Sequence, residues 1–192
     1  MTREELEHAI RAACDVADDD AVYVFGSQAI LGQFPDAPAV LRMSAEVDVS
    51  PKAHPERVDL VDGALGELSA FHEAFGFYVH GVPIETAILP AGWQQRLVEV
   101  RNDNTRQKAG LCVEGHDLAA SKLAAYRDKD REFVRNLLIA RMVATARLIE
   151  RIRKLPLSQE RIAGLVRWVK TTEREMLDGA TSPRRKQRRK YR

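Results

Sequence analysis

Three short segments of this chain carry residue types that work on phosphate. In Glu46-Val47-Asp48, two acids stand two positions apart. On a β-strand that spacing projects both carboxylates from one face, while Ala45, Val47 and Val49 turn to the other. Two carboxylates held that close repel each other unless a cation lies between them. A hard divalent ion such as Mg²⁺ suits such a pair, because it takes oxygen ligands from one or two carboxylates and from substrate phosphates. Gly26-Ser27 follows an apolar run and precedes the helix-like QAILG. Glycine there permits a tight turn and close approach to a ligand, and the following amides and the Ser27 hydroxyl can hold an anion. The third segment runs from Asp117 to Asp130, DLAASKLAAYRDKD. Asp117 is placed to cap a helix, and Lys122 sits among apolar neighbours, either snorkelling to the surface or pointing into a cleft as a point charge. Taken singly, each segment also has an ordinary structural reading: an acidic strand edge, a capped turn, a solvated helix face carrying Arg127, Asp128, Lys129 and Asp130.

The elements that must position these residues follow from periodicity. Thr2 to about Val16 places Leu6, Ala9, Ile10 and Ala13 at helical spacing, and Asp18-Asp19-Asp20 ends it. Ala21–Phe25 is a short, apolar, β-branched and aromatic strand. The stretch Phe34–Pro38 is loop, and Ala45–Val49 is a second strand stopped by Pro51. Val58–Phe75 reads as one helix with Val58, Val61, Leu65, Leu68, Phe71 and Phe75 near one face. Phe75–Val79 and Val82–Leu89 read as strands joined in a hairpin at His80-Gly81, with Arg96–Arg101 a further strand and Asn102–Gly110 a polar connection. From Asp117 to Leu177 the pattern is helical, interrupted at Leu155-Pro156, with Ser158 as N-cap of a last helix closed by Asp178-Gly179. The fold class that results is α+β: a mixed sheet core with helices over residues 1–113, a helical C-terminal subdomain over 114–180, and a basic, disordered tail over 181–192.

Composition narrows the function classes. The chain has 192 residues, 45% of them hydrophobic, which supports a real core and excludes a disordered or disulfide-stapled protein. No apolar run approaches the roughly 20 residues that span a bilayer, so no membrane role is expected. The N-terminus MTREELEHAI lacks a secretory apolar region. Cys14 and Cys112 are far apart and form no C-x-x-C pair, which fits reduced thiols in a cytoplasmic protein and argues against structural zinc. The five histidines, His8, His54, His72, His80 and His116, show no ligand spacing. Trp93 and Arg96 follow a Pro-Ala-Gly turn and either stack on a base or pack over the sheet edge. The net charge of +2 hides an asymmetry. The last ten residues, PRRKQRRKYR, hold seven of the 30 basic residues and no acid, leaving 23 basic against 28 acidic residues, a balance of −5, in residues 1–182. A basic tail beside an acidic body points to a polyanion partner or to a solvated terminus.

The order of the three segments resembles the nucleotidyltransferase superfamily of the DNA polymerase β type. Within it, the chain is similar to the small bacterial nucleotidyltransferases related to the AbiEii and MenT toxins. The resemblance covers roughly Val22 to Leu138 and rests on Gly-Ser…Glu-x-Asp followed by D-L-x-x-x-K-L-x-A-x-R-x-x-D. It implies that Gly26 and Ser27 hold the β- and γ-phosphates of a nucleoside triphosphate, and that Glu46 and Asp48 bind Mg²⁺. It further implies that Lys122 contacts the triphosphate and that Asp130 matches the later acid of the family. The implied reaction is in-line displacement at the α-phosphorus by a hydroxyl, with pyrophosphate leaving. The toxin-like members imply an RNA acceptor, such as tRNA, and a partner antitoxin. The chain departs from the pattern in having 18 residues between Ser27 and Glu46, a glutamate as first metal acid, and no clear third acid. Glu85, in VPIETAIL, is the one acid available on the neighbouring expected strand. Without it, a non-catalytic module of the same fold that binds RNA or protein becomes the competing reading. A third is an enzyme that modifies a small molecule or a protein hydroxyl.

Overall fold

The structure is a computed structural model, and it describes residues 1–181. Among these residues five strands form one mixed sheet: β1 (Ala21–Phe25), β2 (Glu46–Pro51), β3 (Tyr78–Gly81), β4 (Val98–Val100) and β5 (Ala109–Cys112). Their order across the sheet is β3-β2-β1-β5-β4. β1 runs antiparallel to β2 and parallel to β5, while β2 and β3 are parallel. The helices of the described residues are α1 (Arg3–Ala17), α2 (Ile30–Gln33), α3 (Val58–Leu65), α4 (Ala70–Phe75), α5 (Gly115–Ala125), α6 (Asp128–Ile139), α7 (Thr145–Ile152) and α8 (Gln159–Thr181). The expected α+β class with a mixed sheet and C-terminal helices is what the molecule has.

Local chemistry explains where the elements start and stop. The Thr2 hydroxyl accepts from the Glu5 amide while the Glu5 carboxylate accepts from the Thr2 amide, a reciprocal cap that opens α1. Asp18, at φ 48°, ends it. Leu6, Ile10 and Ala13 on α1 bury against one sheet face, where Val22, Val24, Val47 and Val49 are fully buried. That single arrangement commits the alternate residues Glu46 and Asp48 to the opposite face. One contiguous apolar cluster also takes in Leu118, Leu137, Leu148 and Ile152 of the C-terminal helices. Ser158 caps α8 as expected, accepting from the Arg161 amide at 3.3 Å.

Several expectations are corrected. The helix expected over Val58–Phe75 is two helices: Leu68 takes φ 65° and Ser69 caps α4 by accepting from the His72 amide. Leu68, placed by periodicity on the apolar face, is exposed. The hairpin at His80-Gly81 does not form. Both residues lie within β3, which pairs in parallel with β2, and Ile84–Thr86 is a 3₁₀ turn rather than part of a strand. Asn102–Gly110 is not all connection, since β5 begins at Ala109. β5 carries Gly110 where α1 packs closely over it: a Cβ there would lie 2.2 Å from Ile10 Cδ1. Asp178-Gly179 does not end the last helix, which continues to Thr181. The basic tail expected over 181–192 lies, beyond Thr181, outside the described residues. Among the described residues no helix is long and apolar enough to cross a membrane. Cys14 and Cys112 are both free and buried, and burial pushes the pKa of each thiol up to about 12.

Candidate active site

Glu46 and Asp48 project from the face of β2 opposite the α1 core. The β2–β3 ladder sets His80 directly beside Asp48. His80 Nδ1 lies 3.1 Å from Asp48 Oδ1 and 3.0 Å from Glu46 Oε1. One donor atom from each of the three side chains falls within 4.8 Å of the others. On the other side of Asp48, β1 ends at Phe25 and Gly26 follows. Gly26 adopts φ +73°, and a Cβ there would sit 1.9 Å from Asp48 Oδ2. Only glycine leaves that carboxylate its place, which is a firmer reason for the residue than turn formation alone.

The three groups perturb one another. Burial, and then the negative charge of Asp48, hold the Glu46 carboxyl above the usual carboxylate range. Burial works to lower the His80 pKa, but the hydrogen bond to Asp48 and the charges of Asp48 and Glu46 outweigh it, so the imidazole titrates above its ordinary value. The two neighbouring carboxylates thereby favour the protonated form of the ring, and a bound cation would take over that charge.

Facing the carboxylates across a cleft of about 520 Å³ are Lys122, Arg127 and Lys129. Ser27 lines the same cleft, and Val40, Met43 and Phe133 add apolar surface to it. Lys122 belongs to α5 and Asp130 to α6. The Lys122 ammonium lies 3.6 Å from Asp130 Oδ1, and Arg127 Nε donates to Asp130 Oδ2 at 2.6 Å. Burial lowers the Lys122 pKa, against the opposing pull of Asp130 and Asp48. Asp130 is 1% exposed. Burial raises its pKa, yet the hydrogen bond from Arg127 and the Lys122 charge prevail and hold it below the ordinary range. Asp130 therefore anchors two of the three cations that face the cleft, Lys122 and Arg127, and does not itself line it. A second cleft of about 370 Å³, with Phe25, Gly26 and Ser121 in its walls, shares Asp48, His80, Lys122 and Arg127 with the first.

The model of a family described as nucleotidyltransferase of unknown function (DUF6036) matches residues 4–171. The chain belongs to that family. No curated protein and no solved structure matches it.

In this nucleotidyltransferase-family chain the fold brings together Gly26, Ser27, Glu46, Asp48 and Lys122, with Asp130 behind Lys122. It does not bring Glu85 to them. Glu85 is exposed on the 3₁₀ turn and lines a separate groove with Tyr23 and Trp93. The turn after Gly26 is also slighter than QAILG suggests, being one 3₁₀ turn, Ser27–Ala29, and the four-residue α2. Anion binding there rests on the Ser27 hydroxyl and the facing cations, since so short a helix has little dipole. Asp117 does not cap α5. Glu114 does, accepting from the His116 and Asp117 amides, while Asp117 is fully buried between Arg96 Nε at 2.7 Å and Arg151 Nε at 3.0 Å. Arg96 is thus engaged in the core, and Trp93 packs edge-on against Tyr23, ring centroids 5.4 Å apart. Arg127 and Lys129, grouped with solvated ion pairs by the sequence, line the cleft. His80 is the residue that sequence spacing missed. It lies 32 positions from Asp48, and only the parallel β2–β3 register joins them.

Proposed function

We propose that this chain is a divalent-cation-dependent nucleotidyltransferase that moves a nucleotide from a nucleoside triphosphate to a hydroxyl acceptor. The observation that carries this is the pairing of two carboxylates on one strand face with three cationic side chains across a single cleft, inside a chain of nucleotidyltransferase family. Glu46 and Asp48 fit a divalent ion, because their oxygens converge and Gly26 leaves Asp48 free of backbone crowding. Such an ion, Mg²⁺ by the resemblance to polymerase β-type enzymes, supplies charge neutralisation at the α-phosphate.

The chain's own groups do the rest. The Ser27 hydroxyl donates to a β- or γ-phosphate oxygen, and Gly26 permits the close approach. Lys122, Arg127 and Lys129 offset the triphosphate charge, and Asp130 keeps the first two oriented. Val40, Met43 and Phe133 offer apolar surface to the base. The second cleft, which shares Asp48 with the first, admits the acceptor, so that its oxygen meets the α-phosphorus opposite the departing pyrophosphate. Positioning and fixed charge account for the rate enhancement in transfers of this type.

The acceptor we propose is RNA, tRNA among its forms, on the strength of the seven basic residues in the last ten. By the likeness to AbiEii and MenT toxins, the protein would arrest growth and be neutralised by an antitoxin. The test is incubation with each α-labelled nucleoside triphosphate, a divalent cation and total RNA, with Asp48→Ala in parallel. Label in RNA that vanishes in the variant is the expected result. Label on protein or on a small molecule would move the acceptor, and no label from folded protein would leave a binding module of the same fold.

A further inference from the structure

We infer that His80 is a third ligand of the cation held by Glu46 and Asp48, and that its nitrogen turns the site toward Mn²⁺ and away from Mg²⁺. The inference rests on the nucleotidyltransferase reading of that carboxylate pair and replaces the Mg²⁺ that the family resemblance implies.

Three observations support it. The β2–β3 register sets His80 on the same sheet face as both acids, so its ring and their carboxylates meet without any rearrangement of the backbone. Its Nδ1 is nearly equidistant from the two carboxylate oxygens, at 3.0 Å and 3.1 Å. Neighbouring ligands in an octahedron with bonds of about 2.1 Å stand about 3.0 Å apart, so an ion that displaces the Nδ1 proton asks little movement of these groups. The only other acid expected beside this pair, Glu85, lines a different groove, so no third carboxylate competes for the position among the described residues of the cleft.

The ligand set then decides the ion. Mg²⁺ favours an all-oxygen shell, while an imidazole in the set favours first-row transition ions. Mn²⁺ is the first-row ion that still takes carboxylate oxygens as readily as Mg²⁺ does, so two carboxylates joined by a single nitrogen suit it better than they suit Mg²⁺. The side chain is 40% exposed, so substitution removes the donor without opening the core.

The experiment reads metal binding, not turnover. Loss of the free Mn²⁺ electron spin resonance signal on titration gives the Mn²⁺ affinity, and competition gives that of Mg²⁺. Spin-echo modulation reports any ¹⁴N bonded to the bound Mn²⁺. Each is run without nucleotide and with a non-hydrolysable uridine triphosphate analogue, whose base offers the ion no competing imidazole-type nitrogen. The intact protein should bind Mn²⁺ at least about tenfold more tightly than Mg²⁺ and show directly bound ¹⁴N. His80→Asp should abolish the modulation and collapse the preference, and His80→Gln should abolish the modulation, with circular dichroism unchanged in both. Bound Mn²⁺ without ¹⁴N modulation, or a preference untouched by His80→Asp, overturns the role of His80 and leaves the carboxylate site standing. No ion bound by folded protein under either condition overturns both.

Discussion

At Asp48 the chemistry and the packing converge. Its carboxylate faces Glu46, accepts from His80 and occupies the space that Gly26 leaves by lacking a Cβ. Asp48→Ala should therefore lower nucleotide transfer by at least about 100-fold, the scale on which one preorganised charge-stabilising group acts. Its thermal midpoint should stay near the parent's, because the side chain lies on the polar face of β2. A variant that keeps both fold and full transfer would exclude Asp48 from the chemistry. Gly26→Ala should behave differently. It forces a positive φ on alanine and drives a methyl into Asp48 Oδ2. A loss of about 1–3 kcal/mol in stability is expected from the backbone alone. Urea midpoints should fall together with cation binding, whereas Asp48→Ala should lose binding at an unchanged midpoint.

The helices hold the cations in place through buried ion pairs, and these answer to substitution and to pH. Asp117 on α5 joins Arg96, from the 3₁₀ turn before β4, to Arg151 on α7. Removing one partner of a buried set leaves the others charged and unpaired, so Asp117→Ala should cost about 3–5 kcal/mol, read by equilibrium urea unfolding. Asp130 provides the pH dependence. Its pKa in the folded protein lies below the ordinary aspartate value of about 3.9, so its contribution is fully present above that value. The contribution is lost as pH falls through the folded value, where the carboxylate protonates and releases Arg127 and Lys122. Asp130→Asn should accordingly be less stable than the parent at pH 7, with the difference shrinking in urea titrations toward pH 3. A gap that stays constant with pH would show that the loss is one of packing rather than of charge.

For the molecule as a whole, the uneven distribution of charge makes the acceptor testable. Residues 183–192 concentrate seven basic side chains beside a body of net negative charge. If RNA is the acceptor, deletion of these ten residues should weaken labelling and flatten its dependence on salt, since each phosphate that the protein ceases to neutralise takes about one unit off the log–log slope. A truncated protein that labels its acceptor as well as the full chain, at every salt concentration, would point to a small-molecule or protein hydroxyl instead.

Much of this was legible along the chain because it depends on neighbours in sequence. Alternation placed Glu46 and Asp48 on one face of a strand, and the apolar run before Gly26-Ser27 marked β1. The helical pattern from Asp117 onward put Lys122 and Asp130 in helix, although the chain breaks at Tyr126, φ 56°, and divides them between α5 and α6. What failed were the inferences that needed a partner from elsewhere. β5 carries too few large apolar residues to be recognised, and its Gly110 is there because Ile10 of α1 crowds it. His80 looked like a turn residue, and Glu85 like a strand acid, until the parallel pairing of β2 with β3 set one at the carboxylates and left the other in a different groove. Asp117, which looked like a helix cap, and Asp130, an acid in a charged-looking stretch, turned out to be buried counterions of arginines and a lysine. Periodicity reports which way a side chain points within its own element. Which element lies opposite is set by strand register and helix docking, and those follow from burying the whole apolar surface at once, so no local window of residues contains them.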